Sequence, residues 1–283
     1  MATDPRAPSQ GASDSAPEQV VLFDVGNSNT VVGVLFGGVL RHSLRLATVL
    51  ERTADELSSL LLPLFGRMGL NPAATDGCVV ASVVPPLNGV ISKLAEGLLG
   101  VEAVFVGPGI KTGMPIRYDN PSEVGADRIV NALGAREIYG APAVVVDLGT
   151  ATTFDVVSAR GEYLGGIIAP GIGISAEALF VQASKLFRVD LRRPDDLIGR
   201  STRGAMRSGI FHGALGMVDG ILERLSQEQS RAGGLGTVVC TGGAASWIAE
   251  ESAFIDRVDE DLTLLGLQRI FERNRRLIVK RPS

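Results

Sequence analysis

The chain is poor in the residues on which thiol, imidazole and indole chemistry depend: its 283 residues hold 2 cysteines, 2 histidines and 1 tryptophan. Cys78 and Cys240 each sit in an apolar, strand-like run, GCVVASVV and TVVCTGG, where a buried, reduced thiol is the default. With only His42 and His212 beside them, a structural zinc site lacks ligands at any usual spacing, so a bound metal has to use oxygen. No apolar run approaches the roughly 20 residues that a membrane-spanning helix needs. Residues 1–19 lack the charged and apolar regions of a signal peptide, and the expected location is the cytoplasm, away from any membrane. Positive charge is not in excess either. The net charge is −4, and the one basic run, 273–281, reads as a solvated tail, so no surface for nucleic acid is expected.

What is present is apolar and small. A hydrophobic content of 45% with 20% charge fits a globular chain with ample core, and 35 glycines recur at the ends of apolar runs. Residues 1–18, rich in Ala, Ser, Pro and Asp, read as a disordered extension.

The chain is organised around residues 144–171, VVVDLGTATTFDVVSARGEYLGGIIAPG. A β-branched run breaks at Asp147-Leu148-Gly149-Thr150 and resumes around Phe154, which reads as a hairpin with an acidic tip. Near the N-terminus VVLFDVGNSNTVVGVL has the same shape. Superposing Asp24 on Asp147 puts Gly26 on Gly149 and Thr30 on Thr153. One DxGxxxT reads as an aspartate satisfying its own turn. Two copies point to paired phosphate-handling tips, with backbone N–H groups and hydroxyls as donors and an aspartate for a cation.

Around these hairpins strands and helices alternate, which predicts sheets covered by helices. A capping box at Thr53 and Glu56 opens a helix over 54–68. A strand over 77–84 ends at Pro85-Pro86, and a helix follows over 87–99. The irregular loop 108–121 is too long for a turn, and Ser122 is expected to cap a helix over 123–139. Leu164 to Gly171 reads as a tight bend, followed by helices over 175–186 and 201–229. Gly204, Gly209, Gly213, Gly216 and Gly220 on the second of these point to close packing against another helix or chain. Thr241-Gly242-Gly243 ends a strand over 237–241, and the last helix covers 262–274.

Two phosphate hairpins and a later glycine turn resemble the acetate kinase, sugar kinase, Hsp70 and actin superfamily. The resemblance narrows with Tyr118-Asp119-Asn120-Pro121, Gly125-Ala126-Asp127-Arg128, DLGTATT from Asp147, LGGIIAPG from Leu164 and Gly199-Arg200-Ser201-Thr202, in this order. Together with DVGNSNT from Asp24 and SVVPP from Ser82, they look like type III pantothenate kinase over nearly all of the chain after the extension.

The implied fold is α/β, two related ribonuclease H-like domains with a cleft between them, the actin-like ATPase fold. The expected division is an extension over 1–19, one domain over 20–125 and a second over 126–283. The implied reaction is ATP-dependent phosphorylation of pantothenate to 4′-phosphopantothenate, in coenzyme A synthesis. By the family pattern Asp24, Val25, Gly26, Asn27, Ser28, Asn29, Thr30, Val31 and Thr150 meet ATP, which Mg²⁺ accompanies. Tyr118, Gly125, Ala126, Asp127, Arg128 and Thr202 contact pantothenate, with Asp127 the proton acceptor. Asp147 holds a monovalent cation, K⁺ or NH₄⁺, and the chain forms a homodimer. Without the loop beside them, Asp127 and Arg128 read as a solvated pair on a helix.

Overall fold

The computed structural model describes residues 18–230 and 233–279. The chain divides into two compact units, one drawn from Met1–Gly113, Asn120–Ile138 and Thr263–Ser283, the other from Met114–Asp119 and Tyr139–Leu262.

In the first unit, β1 (Gln19–Val25), β2 (Asn29–Phe36), β3 (Val39–Ala47), β4 (Gly77–Ser82) and β5 (Ala103–Phe105) form one sheet of order β3-β2-β1-β4-β5. The first three strands are an antiparallel meander, whereas β4 runs parallel to β1 and β5 to β4. The central strand β1 reads VVLF without alternation because both of its faces are covered. On one face lie α1 (Ala54–Arg67) and α2 (Pro85–Leu94), whose Leu57, Leu61, Phe65, Leu87, Ile91 and Leu94 pack into the core with Val21 and Phe23. The capping box at the start of α1 forms as expected: Glu56 Oε2 accepts the Thr53 N–H at 2.8 Å and Thr53 Oγ1 accepts the Glu56 N–H at 3.3 Å. The strand expected over 77–84 stops at Ser82, and Pro85 and Pro86 begin α2, since the first turn of a helix has no use for their missing N–H.

On the other side α3 (Ala126–Tyr139) meets α7 (Leu262–Ile278), with Leu264 and Phe271 of α7 against Gly33 and Gly77 of the sheet. These contacts correct the expected boundary between 125 and 126. The last helix and nearly all of α3 belong with the first unit because their apolar faces are buried there. The basic run taken for a solvated tail is largely the end of α7, where Arg273 Nη2 lies 2.9 Å from Glu137 Oε2. Residues 1–17 of the expected extension lie outside the described residues. Gln19 already belongs to β1, and its side-chain amide donates to Asn71 O and to Thr75 Oγ1.

The second unit repeats the plan. Its strands β6 (Ala143–Leu148), β7 (Ala151–Val157), β8 (Tyr163–Pro170), β9 (Thr237–Thr241) and β10 (Arg257–Val258) lie in the order β10-β9-β6-β7-β8, which is the first sheet read from the other edge. The meander and the two parallel additions recur in the same sequence of pairings. Two sheets of this one topology are the ribonuclease H-like pair of the actin-like ATPase fold. The helices α4 (Ile172–Gln182), α5 (Thr202–Gln229) and α6 (Ala245–Ala249) contribute Ile172, Phe211, Val218, Leu222 and Ile248 to its core.

Three local expectations are corrected. The stretch from Leu164, taken for a bend, is mostly strand β8, its glycines paired across to β7. The helix expected over 175–186 starts at Ile172 and ends at Gln182. The helix expected from residue 123 starts at Ala126, because Asn120 and not Ser122 is the cap: Asn120 Oδ1 accepts the Ser122 N–H at 3.3 Å and closes a separate 3-10 turn, Pro121–Glu123.

Gly266 tests the α3–α7 packing with a sign opposite to helix propensity. Inside a helix, alanine is favoured over glycine by about 1 kcal/mol. At this position a Cβ would run into the Val130 carbonyl oxygen and come within 2.7 Å of Val130 Cγ1. Gly266→Ala is therefore expected to lower stability by about 1–3 kcal/mol, as overpacking does, measured by urea unfolding. Unchanged or raised stability would refute this account of the contact.

Candidate active site

Both hairpin tips stand at the carboxyl end of a central strand, where open α/β sheets place their ligands. In the first unit Asp24 pairs with Val31 across the hairpin and with Ala81 on β4. Gly26 N–H donates to Asn29 O at 3.0 Å, which leaves Asn27, Ser28 and Asn29 exposed at the tip. Thr48, just past β3, braces this turn from behind. Its hydroxyl donates to Gly26 O at 2.7 Å, its N–H donates to Ser28 O at 3.0 Å, and Thr30 Oγ1 lies 2.9 Å from its Oγ1. Thr30 is buried and serves the turn rather than its outer surface. Val25 is buried as well, and Val31 is half-buried in the strand.

The start of α3 joins this end of the first unit through Val83. The Val83 N–H donates to Val25 O at 3.0 Å, and a Cβ on Gly125 would lie 3.4 Å from Val83 Cγ1. The same Cβ would lie 2.6 Å from Asp127 Oδ1, so glycine at 125 makes room for the carboxylate. Asp127 Oδ1 accepts the Arg128 N–H at 2.7 Å. Burial pushes the Asp127 carboxyl above the ordinary aspartate value, against that hydrogen bond and the Arg128 charge, which pull it down. Arg128 is only 7% exposed, so the solvated-pair reading of these two residues is set aside.

In the second unit Asp147 pairs with Thr153 on β7 and Thr241 on β9. Glycines surround its carboxylate: a Cβ on Gly149 would stand 3.3 Å from Oδ1, and one on Gly242 would stand 2.7 Å from it. Gly242 also has φ +93°, a backbone that side chains rarely adopt. Thr150 is exposed at the tip, and Gly171 packs directly against the Gly149 and Thr150 carbonyls, where any Cβ would collide. The direct superposition of the two hairpins shifts by one residue. Asp24 faces Val31 but Asp147 faces Thr153, so the second loop is one residue shorter and the counterpart of Thr30 is Thr152. Both of these threonines are buried.

Tyr118 and Thr202 also belong to the second unit. The ring of Tyr118 lies over Gly165, and Thr202 opens α5 behind its cap Ser201, whose Oγ accepts the Gly204 N–H at 3.1 Å. Beside Thr202 an apolar groove of about 610 Å³ runs between α4 and α5, lined by Leu179, Met206, Gly209 and Gly213. A Cβ on Gly209, Gly213 or Gly216 would meet nothing within 4 Å, so these glycines do not serve close packing inside the chain.

The thiols take no part. Burial pushes Cys78 up to about 12, and burial with the Asp147 charge pushes Cys240 up to about 12, which leaves both protonated and inert. Among the described residues no group of three or more His, Cys, Asp or Glu forms a metal site, and no helix is long and apolar enough to cross a membrane.

Residues 20–224 match the family model described as type III pantothenate kinase. The chain belongs to the type III pantothenate kinase family. It is 50% identical over 255 residues to the type III pantothenate kinase of Moorella thermoacetica, with 90% of this chain and 99% of that one covered. To the type III pantothenate kinase of Myxococcus xanthus it is 52% identical, covering 90% and 98%. Among solved structures, a protein of Campylobacter jejuni described as a Baf family transcriptional activator matches with TM-score 0.56 at 20% identity, over 90% of this chain and 99% of that one. That similarity bears on fold alone.

Thr48 and Gly242 support the two tips and Val83 backs Gly125 beside the Asp127 carboxylate, yet no spacing in the sequence marks Thr48, because it meets its partners through long-range contacts. Only Gly242 lay in a recognisable turn.

Proposed function

We propose that the protein transfers the terminal phosphoryl group of ATP to the primary hydroxyl of pantothenate, with Asp127 as proton acceptor. The observation that carries the assignment of the base is the placement of Asp127: a carboxylate at the start of α3, half-buried, with a raised pKa and a glycine beside it that keeps its oxygen clear. Phosphoryl transfer passes through a loose transition state in which positioning and charge neutralisation dominate, so an aspartate suffices to take the hydroxyl proton late. Arg128 offers a fork for the pantothenate carboxylate, and Tyr118, Gly125, Ala126 and Thr202 complete its contacts.

ATP phosphates are assigned to the exposed tip of the first hairpin, Gly26 to Asn29, and to Thr150. Asp24, Val25, Thr30 and Val31 hold that tip in shape, with Asp24 turned to the nucleotide. Nucleotide-bound Mg²⁺ neutralises phosphate charge, and the hard oxygen donors of Asp24 and Asp147 suit such cations. Asp147 is assigned a monovalent cation, K⁺ or NH₄⁺.

The outer face of α4 and α5 is proposed as the contact between two copies. Its support is the groove beside Gly209 and Gly213 together with the exposed Ile174, Leu179 and Val181.

Asp127→Asn is expected to lower kcat at least about a thousandfold while leaving ATP binding intact. In the parent protein kcat/KM should fall as pH drops through a value above the ordinary aspartate pKa, since below it the acceptor already carries its proton. Retained turnover in Asp127→Asn would remove it as the base. No turnover of pantothenate at high ATP and K⁺ would reassign the substrate to another small alcohol. With Asp147→Asn the dependence of the ATP KM on K⁺ is expected to vanish, and if the same dependence persists the cation lies elsewhere. Gly213→Arg should convert a dimer into monomers by light scattering, and a parent protein that is monomeric at micromolar concentration would rule out the proposed contact.

A further inference from the structure

Residues 114–119 leave the unit to which the chain on both sides of them belongs and group with the second. What holds them there is β8. Tyr163 N–H donates to Pro115 O at 2.9 Å, Arg117 N–H donates to Tyr163 O at 2.8 Å, and Ile116 bridges Tyr163 in parallel. The segment thus adds one rung to the edge of the sheet.

The residue that makes this rung is anchored from below. Tyr163 is fully buried, and its hydroxyl donates at 2.8 Å to Oδ1 of Asp155, a carboxylate that is itself fully buried. A polar group in such a place is retained only where hydrogen bonds hold it. The sheet also carries a bulge here: Val156 faces Gly165 while Val157 faces Tyr163, so Leu164 is an extra residue turned outward. A bulge re-aims the residues beside it. At the surface Arg117 Nε and Nη2 both donate to Glu162 Oε1, at 3.0 and 2.7 Å.

Tyr118 follows from this arrangement. Its ring centroid lies 6.5 Å from that of Tyr163, and a Cβ on Gly165 would stand 3.2 Å from its Cδ2 and Cε2. Gly165 has φ +111°, which favours glycine independently of the space. The ring therefore has a floor made by an absent side chain, a wall made by Tyr163, and a backbone fixed by two hydrogen bonds.

We propose that Tyr163, tied down by Asp155, and Gly165 are positioning residues that set the place of the Tyr118 ring, and through it the affinity for the acid substrate but not for ATP. The proposal rests on the reading that Tyr118 contacts pantothenate. None of these three residues touches substrate in that account; each acts through Tyr118. Arg117, clamped to Glu162, restrains the same segment from the surface.

The test is a double-mutant cycle on the full chain, with steady-state kinetics in both substrates. Tyr163→Phe keeps the ring and removes the hydroxyl. It is expected to raise the pantothenate KM about tenfold, with kcat and the ATP KM within about twofold. In a Tyr118→Ala background the same substitution should add nothing, because the interaction it acts through is gone. Arg117→Ala, at an exposed position, should move the pantothenate KM in the same direction by a smaller factor, and it carries the test if Tyr163→Phe does not fold. A pantothenate KM unchanged in Tyr163→Phe and Arg117→Ala overturns the proposal, as does an increase that persists in full without Tyr118 or that appears equally in the ATP KM. If Tyr118→Ala itself leaves the pantothenate KM unchanged, the substrate reading of Tyr118 fails and takes the proposal with it. An effect of Tyr118→Ala without one of Tyr163→Phe or Arg117→Ala sinks the positioning role alone.

Discussion

A tight turn needs its backbone packed and hydrogen-bonded from beneath, and both hairpin tips depend on this. Backbone oxygens left without partners are costly, so something has to pack beneath the tip. In the first unit that is a hydroxyl, Thr48 on Gly26 O. In the second unit the corresponding place is taken by close packing, Gly171 against the carbonyls of Gly149 and Thr150. Thr48 follows β3 and Gly171 follows β8, the same place in the repeated sheet. One topology thus reaches two solutions, and the second uses a glycine because no space remains for a side chain. The exposed donors at Asn27 to Asn29 and at Thr150 are consequences of that support.

Asp127 shows how opposing terms settle a carboxylate. Its place in the first turn of α3, the Arg128 N–H and the Arg128 charge all favour ionisation. Burial disfavours it and outweighs them. The outcome suits a proton acceptor better than a structural cap, since a cap is most useful when fully ionised. Glu56, in the first turn of α1, is the contrast within the same unit: it is exposed, and the Thr53 hydrogen bonds hold its pKa down. Two acids, each in the first turn of a helix, differ because one is desolvated.

Much of the fold could be read from the sequence because its signals were local. Apolar runs broken at Asp24 and Asp147 gave both hairpins, and Thr53 with Glu56 gave a capping box that forms as drawn. What failed depended on contacts that spacing does not carry. The hairpins align without a gap in the sequence, yet the second tip is one residue shorter, and an apolar pattern does not report loop length at that level. LGGIIAPG looked like a bend because glycine weakens a strand in isolation, but pairing to β7 supplies the order that propensity lacks. The boundary at 125 failed because α7 returns to the first unit from the far end of the chain. Of the candidate site, Asp24, Asp127 and Asp147 were recognisable by position, while Thr48 was not.

Glycine accounts for most of the remaining ambiguity, since one residue type serves unlike purposes in this chain. At 242 and 171 it is required because another group occupies the space, and at 266 because a helix crosses too closely. At 209, 213 and 216 nothing occupies the space, and the helix bears a propensity cost of about 1 kcal/mol for each with no return inside the chain. That asymmetry separates Gly209, Gly213 and Gly216, whose absent side chains would meet no neighbour within 4 Å, from Gly242 and Gly171, which the chain itself accounts for.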